Sequence, residues 1–296
     1  MNYHSIKGFL QYIRNERRYS THTVIAYEND LDQAAQYMSI TYTHKELYHA
    51  TFPQIRSWIV QLLEQKINTY TIKRKISTLK SYFKYCIKNE LIVKNPMLKI
   101  ISPKTAKRLP AFINENEMEK MLSQMDLGNN WEGMRDQLII EILYATGMRR
   151  SELIHCKIQD IDSYNSQIKV LGKGNKERFI PIAKPLMKRI EGYIAMTNMK
   201  FSTQHEYLLV NDKGQKMSEK WVYNKVHFYL STYSTIAKCS PHVLRHTFAT
   251  LMLNEGADLN AIKEILGHAN LSATQVYTHN NIEKLKSVHK LAHPRG

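Results

Sequence analysis

Apolar positions along the chain recur mostly at helical spacing, and a two-residue alternation appears in only one short region. In the first third this pattern predicts four helices, over residues 5–18, 21–38, 53–65 and 69–89, with Ser20 and Thr21 as caps between the first two. The fourth is the most informative. Ile72, Ile76, Leu79, Phe83 and Ile87 form one apolar stripe, while Lys73, Lys80, Lys84 and Lys88 occupy an adjacent face with no acidic residue between Thr69 and Asn89. Such a face either rests on a phosphate backbone or is simply solvated.

Pro96, Pro103 and Pro110, together with the cations Lys104, Lys107 and Arg108, punctuate the next stretch and predict a basic inter-domain linker over residues 93–110. It separates a helical domain, 1–92, from a larger one, 111–296. In the larger domain helices are expected at 115–124, 134–145, 150–156, 184–197, 219–229, 241–255 and 259–266, with short ones at 272–277 and 282–291. Gly256 and Gly267 fall where helix C-caps belong. Strand-type runs at 167–171 and 178–182 flank Gly172-Lys173-Gly174-Asn175 and read as a hairpin. The expected class is mainly α with a small β-hairpin, an α+β chain.

Composition narrows the function. A chain of 296 residues with 43% hydrophobic content can bury two modest cores. No run approaches the ~18 apolar residues of a membrane span, and the first twenty residues lack a signal-peptide core, so a cytoplasmic protein is expected. Cys86, Cys156 and Cys239 have no paired spacing and suggest neither a disulfide framework nor a zinc site. The formal net charge is +16. The first 104 residues carry 16 basic and 7 acidic side chains, a net +9, which leaves +7 for the longer remainder. A basic balance of this size puts nucleic acid first among partners.

Candidate chemistry is sorted by elimination. The glycine-rich 172–175 segment lacks the spacer and hydroxyl residue of a P-loop, so ATP use is not indicated. His242 and His246 have i, i+4 spacing, but Arg245 between them opposes a cation, and no metal or other cofactor is expected. What remains suits a phosphate: Arg149 after Thr146-Gly147-Met148, Lys173, His242-x-x-Arg245, His268 after Gly267, and Tyr277.

In this order the motifs Tyr144-Ala-Thr-Gly-Met-Arg-Arg-Ser-Glu-Leu153, Leu171-Gly-Lys-Gly-Asn-Lys-Glu-Arg178, His242-Val-Leu-Arg-His-Thr-Phe-Ala249, Leu266-Gly-His268 and Tyr277-Thr-His279 resemble the active-site pattern of the tyrosine recombinases, the phage-integrase family, and most of all its Xer branch. The resemblance extends over nearly the whole chain and implies a helical core-binding domain and a catalytic domain that clamp duplex DNA. It implies catalytic roles for Arg149, Lys173, His242, Arg245, His268 and the nucleophile Tyr277, with Glu152 steadying Arg149. Arg150, directly after Arg149, departs from the usual apolar residue. Implied partners are double-stranded DNA with paired inverted half-sites, further protomers in a homo- or hetero-tetramer, a second recombinase and a DNA translocase. The implied setting is the nucleoid, and the implied task is chromosome dimer resolution. Integration or inversion of a mobile element, a topoisomerase-like nicking and closing activity, and a non-cleaving DNA-binding regulator stay open at this point.

Overall fold

The computed structural model describes residues 6–104, 112–125, 130–172, 176–201 and 205–267. The chain divides into two compact units, Met1–Arg108 and Leu109–Gly296. The expected helices at 272–277 and 282–291 lie outside the described residues.

The first unit holds α1 (Ile6–Asn15), α2 (Thr21–Tyr42), α3 (Phe52–Glu64) and α4 (Thr69–Lys88), with a 3-10 turn at Leu47–His49. Helix starts follow local chemistry. The Ser20 hydroxyl accepts from the Thr23 amide, the Asn68 side chain accepts from the Tyr70 amide, and Gln54 Oε1 accepts from the Thr51 amide at 2.8 Å. Helix α2 runs four residues past its expected end and closes at left-handed Thr43, where the Thr43 amide donates to the Ser39 carbonyl and the His44 amide to the Met38 carbonyl. Val24, Leu31, Ala34 and Met38 pack against Ile55 and Trp58 of α3 and against the stripe Ile72, Ile76, Leu79 and Phe83 of α4. Met97 and Ile100 join the same core, so part of the stretch expected as linker packs onto this unit.

Within this core Asp30 of α2 is buried, and it accepts from Lys75 Nζ at 3.0 Å, from Thr78 Oγ1 at 2.9 Å and from Arg74 Nη1. Two of the cations on α4 are thus turned onto α2. An unpaired carboxylate there would cost several kcal/mol, so the pairing is a condition of burying Asp30 at all.

The second unit is built around α6 (Trp131–Thr146), which is buried along nearly its whole length. Around it lie α5 (Glu115–Gln124), α7 (Arg150–His155), α8 (Lys184–Lys200), α9 (Glu219–Tyr233), α10 (Pro241–Asn254) and α11 (Leu259–Leu266). The strands β1 (Ile161–Asp162), β2 (Gln167–Leu171) and β3 (Glu177–Pro181) form one antiparallel sheet in the order β1-β2-β3, with Ile168 opposite Ile180 and Val170 opposite Arg178. The hairpin is the expected one. Strand β1 was not anticipated, since two residues are too few for an alternation to show. Helix α6 begins three residues earlier than its pattern suggests, because Asn130 accepts from the Gly133 amide at 2.7 Å and Trp131 packs inward. Arg135, fully buried, lies between the rings of Trp131 and Trp221, 4.7 and 4.5 Å from their centroids, with Asp136 and Asp212 answering its charge.

Candidate phosphodiester site

The site begins at the turn between α6 and α7. Gly147 ends α6 in the left-handed region, at φ +59°, and a Cβ there would stand 2.5 Å from Phe248 of α10. Only glycine allows this close approach, and it delivers Arg149 to the N-cap of α7 beside α10. Three residues on, Glu152 folds back: Oε2 accepts from the Arg149 amide and Oε1 from Arg149 Nη1, both at 2.7 Å. The acidic support expected at Glu152 is therefore in contact with Arg149. Burial would raise the Glu152 carboxyl, but hydrogen bonds from Arg178 and Arg149 outweigh it and hold the group below its ordinary range.

Arg178 of β3 was given no role of its own in the sequence, and it is central. It donates Nη2 to Glu152 Oε2 at 2.8 Å, Nη1 to Glu152 Oε1 at 3.1 Å and Nε to the Ile265 carbonyl at 2.6 Å. Its neighbours continue the pattern. Arg245 Nη2 donates to the Leu266 carbonyl at 2.7 Å and Nη1 to the Gly147 carbonyl at 2.7 Å, and Arg149 Nη2 donates to the Gly267 carbonyl at 3.1 Å. Three successive carbonyls at the end of α11 each accept from a different arginine. The helix C-terminus supplies the partial negative charge that makes this convergence tolerable. Burial, then the charge of Arg149, draws the Arg245 guanidinium down to about 10, which leaves it protonated at neutral pH.

His242 lies one turn before Arg245 on the exposed edge of α10. Partial desolvation, followed by the field of Arg150, Arg245, Lys238 and Arg149, lowers its pKa below the ordinary histidine value. It is held neutral at pH 7, the form that accepts a proton. Arg150 is separated from Arg149 by its partners: it pairs with Glu219 and lies over the Tyr223 ring, both on α9.

The structure thus brings Arg149, Glu152 and Arg245 together, with His242 one helical turn away. Lys173, His268 and Tyr277 lie outside the described residues, although Gly172 and Gly267, which precede the first two, border the cluster. On α4, Lys80, Lys84 and Lys88 are exposed and Lys73 is half-buried. Lys104 is also exposed, while Lys107 and Arg108 lie outside the described residues. Among the described residues no three His, Cys, Asp or Glu side chains gather to hold a metal ion, and no helix is long and apolar enough to cross a membrane.

A family model for the phage integrase family matches residues 111–284, and one for the phage integrase N-terminal SAM-like domain matches residues 6–90. The tyrosine recombinase XerC of Staphylococcus saprophyticus is 38% identical over 290 residues, covering 98% of this chain and 97% of its own length. That of Staphylococcus aureus is 37% identical over 293 residues, covering 99% and 97%. Among solved structures, the XerH site-specific recombinase bound to palindromic difH substrate in a post-cleavage complex has a TM-score of 0.73 at 23% identity, covering 96% of this chain and 84% of that one. At that identity the likeness speaks for the fold.

Proposed function

Because this chain belongs to the phage integrase family, as a tyrosine recombinase that cleaves and rejoins DNA at specific sites, we propose that the arginine cluster at the end of α11 is its phosphodiester site. The observation that carries this reading is the excess of fixed positive charge. Arg149, Arg178 and Arg245 converge with Glu152 as the carboxylate between them, and each of the three is held in part by neutral carbonyls. A phosphate oxygen is a stronger acceptor than a carbonyl, so Arg149 and Arg245 can exchange these bonds for a scissile phosphate and stabilise the charge that develops on its nonbridging oxygens.

In the proposed reaction Tyr277 Oη attacks phosphorus and forms a 3′-phosphotyrosine bond as the bond to the 5′-oxygen breaks. His242 accepts the phenolic proton, and Lys173, on the hairpin between β2 and β3, protonates the leaving 5′-oxygen. His268 adds a donor to the phosphate. The phosphotyrosine conserves the energy of the broken bond, so the 5′-hydroxyl of another strand reverses the step without ATP. Residues 1–92 bind the core of the site with Lys73, Lys80, Lys84 and Lys88 on the backbone, and Lys104, Lys107 and Arg108 of the linker continue that contact. Four protomers act on two duplexes with paired inverted half-sites. The XerC relatives at 37–38% identity support chromosome dimer resolution as the task. The proposed reading places the work at the nucleoid, with a second recombinase and a DNA translocase as partners.

The test incubates the protein with fragmented chromosomal DNA of its host, quenches in denaturant and sequences what stays covalently attached, with Tyr277→Phe alongside. Adducts formed only by the unmodified chain, and sharing a paired inverted motif on the chromosome outside any mobile element, are expected. DNA binding without any adduct overturns the cleavage chemistry, and a site within a mobile element overturns the chromosomal task.

A further inference from the structure

Arg178 is 4% exposed in its side chain, as is Glu152, and the two form a two-pronged ion pair across 26 residues of sequence. Its third donor, Nε, reaches the Ile265 carbonyl. The same guanidinium also underlies two glycines. A Cβ added at Gly267 would meet Arg178 Nη1 at 3.2 Å in a backbone already at φ +65°, and one added at Gly172 would meet it at 3.3 Å. Arg178 therefore touches three segments of chain at once: α7 through Glu152, the base of the β2–β3 hairpin at Gly172, and the end of α11 at Ile265 and Gly267. Each leads directly to a group assigned to the reaction above, namely Arg149, Lys173 and His268.

We propose that Arg178 is a positioning residue for strand cleavage, a buried post that sets Arg149 through Glu152 and fixes the hairpin base and the α11 turn relative to it. The inference rests on the phosphodiester reading of the site. Its chemistry is specific to arginine. A planar fork satisfies both Glu152 oxygens and still offers Nε, on another edge, to a carbonyl, whereas a lysine ammonium can hold one of these partners well and not all three. The phosphate itself is left to Arg149 and Arg245, because the Arg178 side chain is buried on Glu152 and Ile265 whereas Arg149 keeps 33% of its side chain exposed and Arg245 is half-buried.

The experiment measures single-turnover formation of the covalent adduct on end-labelled chromosomal fragments of the host, with protein in excess, for Arg178→Met, Arg178→Lys, Glu152→Gln and the Arg178→Met/Glu152→Gln pair. Folding is followed by circular dichroism and DNA affinity by mobility shift. Arg178→Met is expected to slow cleavage by about 10- to 100-fold, the range typical of residues that orient a ligand from behind, with affinity changed less than twofold. Arg178→Lys, which keeps the charge, is expected to fall between that variant and the parent. The pair should be no slower than the slower single change, because both act on Arg149 along one route. If Arg178→Met does not fold, Arg178→Lys takes its place in the cycle. Multiplying penalties, or a rate that tracks the folded fraction alone, would overturn the proposal. Arg149→Lys separates the two levels: if it cleaves at the parental rate, the phosphodiester reading fails beneath this one, and a parent that forms no adduct removes both.

Discussion

Two buried carboxylates organise the two units, and they differ in what they leave over. Asp30 holds Lys75 and Arg74 against α2, and Lys75, itself buried, spends a further bond on Gln33. Its partners come from one neighbouring helix, and the result is a staple between α2 and α4. Glu152 gathers Arg149 and Arg178 from the start of α7 and from β3, but the cluster continues into Arg245 with no second carboxylate among the described residues to balance it. Arg149 keeps 33% of its side chain exposed, and part of its fork lies on a neutral carbonyl. The same residue types thus build a closed device in one unit and an open one in the other. Count of ion pairs does not separate them; uncompensated positive charge on exchangeable acceptors does.

The comparison breaks if the two clusters respond alike to mutation. Asp30→Ala strands the Lys75 ammonium in a core and should lower unfolding free energy in urea by about 3–5 kcal/mol, while cleavage per folded molecule stays unchanged. A loss below 1 kcal/mol would mean that water reaches Lys75 and that the staple is not closed. Arg149→Ala should do the reverse, slowing adduct formation by about 10²- to 10³-fold, the cost of one preorganised donor to a developing oxyanion, with a smaller change in stability. Equal loss of stability and rate in that variant would make the second cluster a staple too.

Much of this arrangement was legible beforehand, and the rest was hidden for a definite reason. Arg149 and Glu152 are three residues apart, so their contact is a property of one helix start, and the motif order identifies them. The hairpin is announced by alternation and glycine. Gly267 as a C-cap is announced by the end of an apolar pattern, and the structure gives it the left-handed backbone that a cap needs. Arg178 to Glu152, Arg149 to Gly267 and Asp30 to Lys75 span 26, 118 and 45 residues, and nothing in periodicity encodes such pairings. For the same reason the Lys75 and Arg74 pairings do not show in the sequence of α4, although its lysine-lined face does. The one available signal for Arg178 was a charged residue two positions before Ile180, and so on the same buried face of the strand.

His242 sharpens the open cluster from its edge. Desolvation and four cations keep its imidazole neutral, with a pKa below the ordinary 6.5. A general base works only unprotonated, so cleavage should hold at neutral pH and fall tenfold per unit once pH drops through that lowered value. The acid limb should therefore lie below pH 6.5 and disappear, at a lower plateau, in His242→Gln. Charge reversal at Lys238→Glu removes one of the repelling cations and should move the limb upward. A limb that stays put in both variants would assign the base to another group.

The smallest effects belong to α4, where the staple and the exposed lysines share a helix. Arg74 and Lys75 are held on Asp30, whereas Lys80, Lys84 and Lys88 face solvent at four-residue intervals, one side of the helix. If that side follows a phosphate backbone, each contact releases about one counterion, and replacing each lysine by alanine should reduce the slope of log affinity against log salt by about 0.9 without changing sequence preference. The three need not be equal. The Lys88 ammonium lies 5.4 Å from the Tyr12 ring centroid and already has a partner to lose, so its replacement should change the slope least. Measured slopes that fall for Lys80→Ala and Lys84→Ala and barely move for Lys88→Ala would separate a DNA-facing surface from a solvated one. Three unchanged slopes would leave Asp30 and its partners as the helix's one electrostatic task.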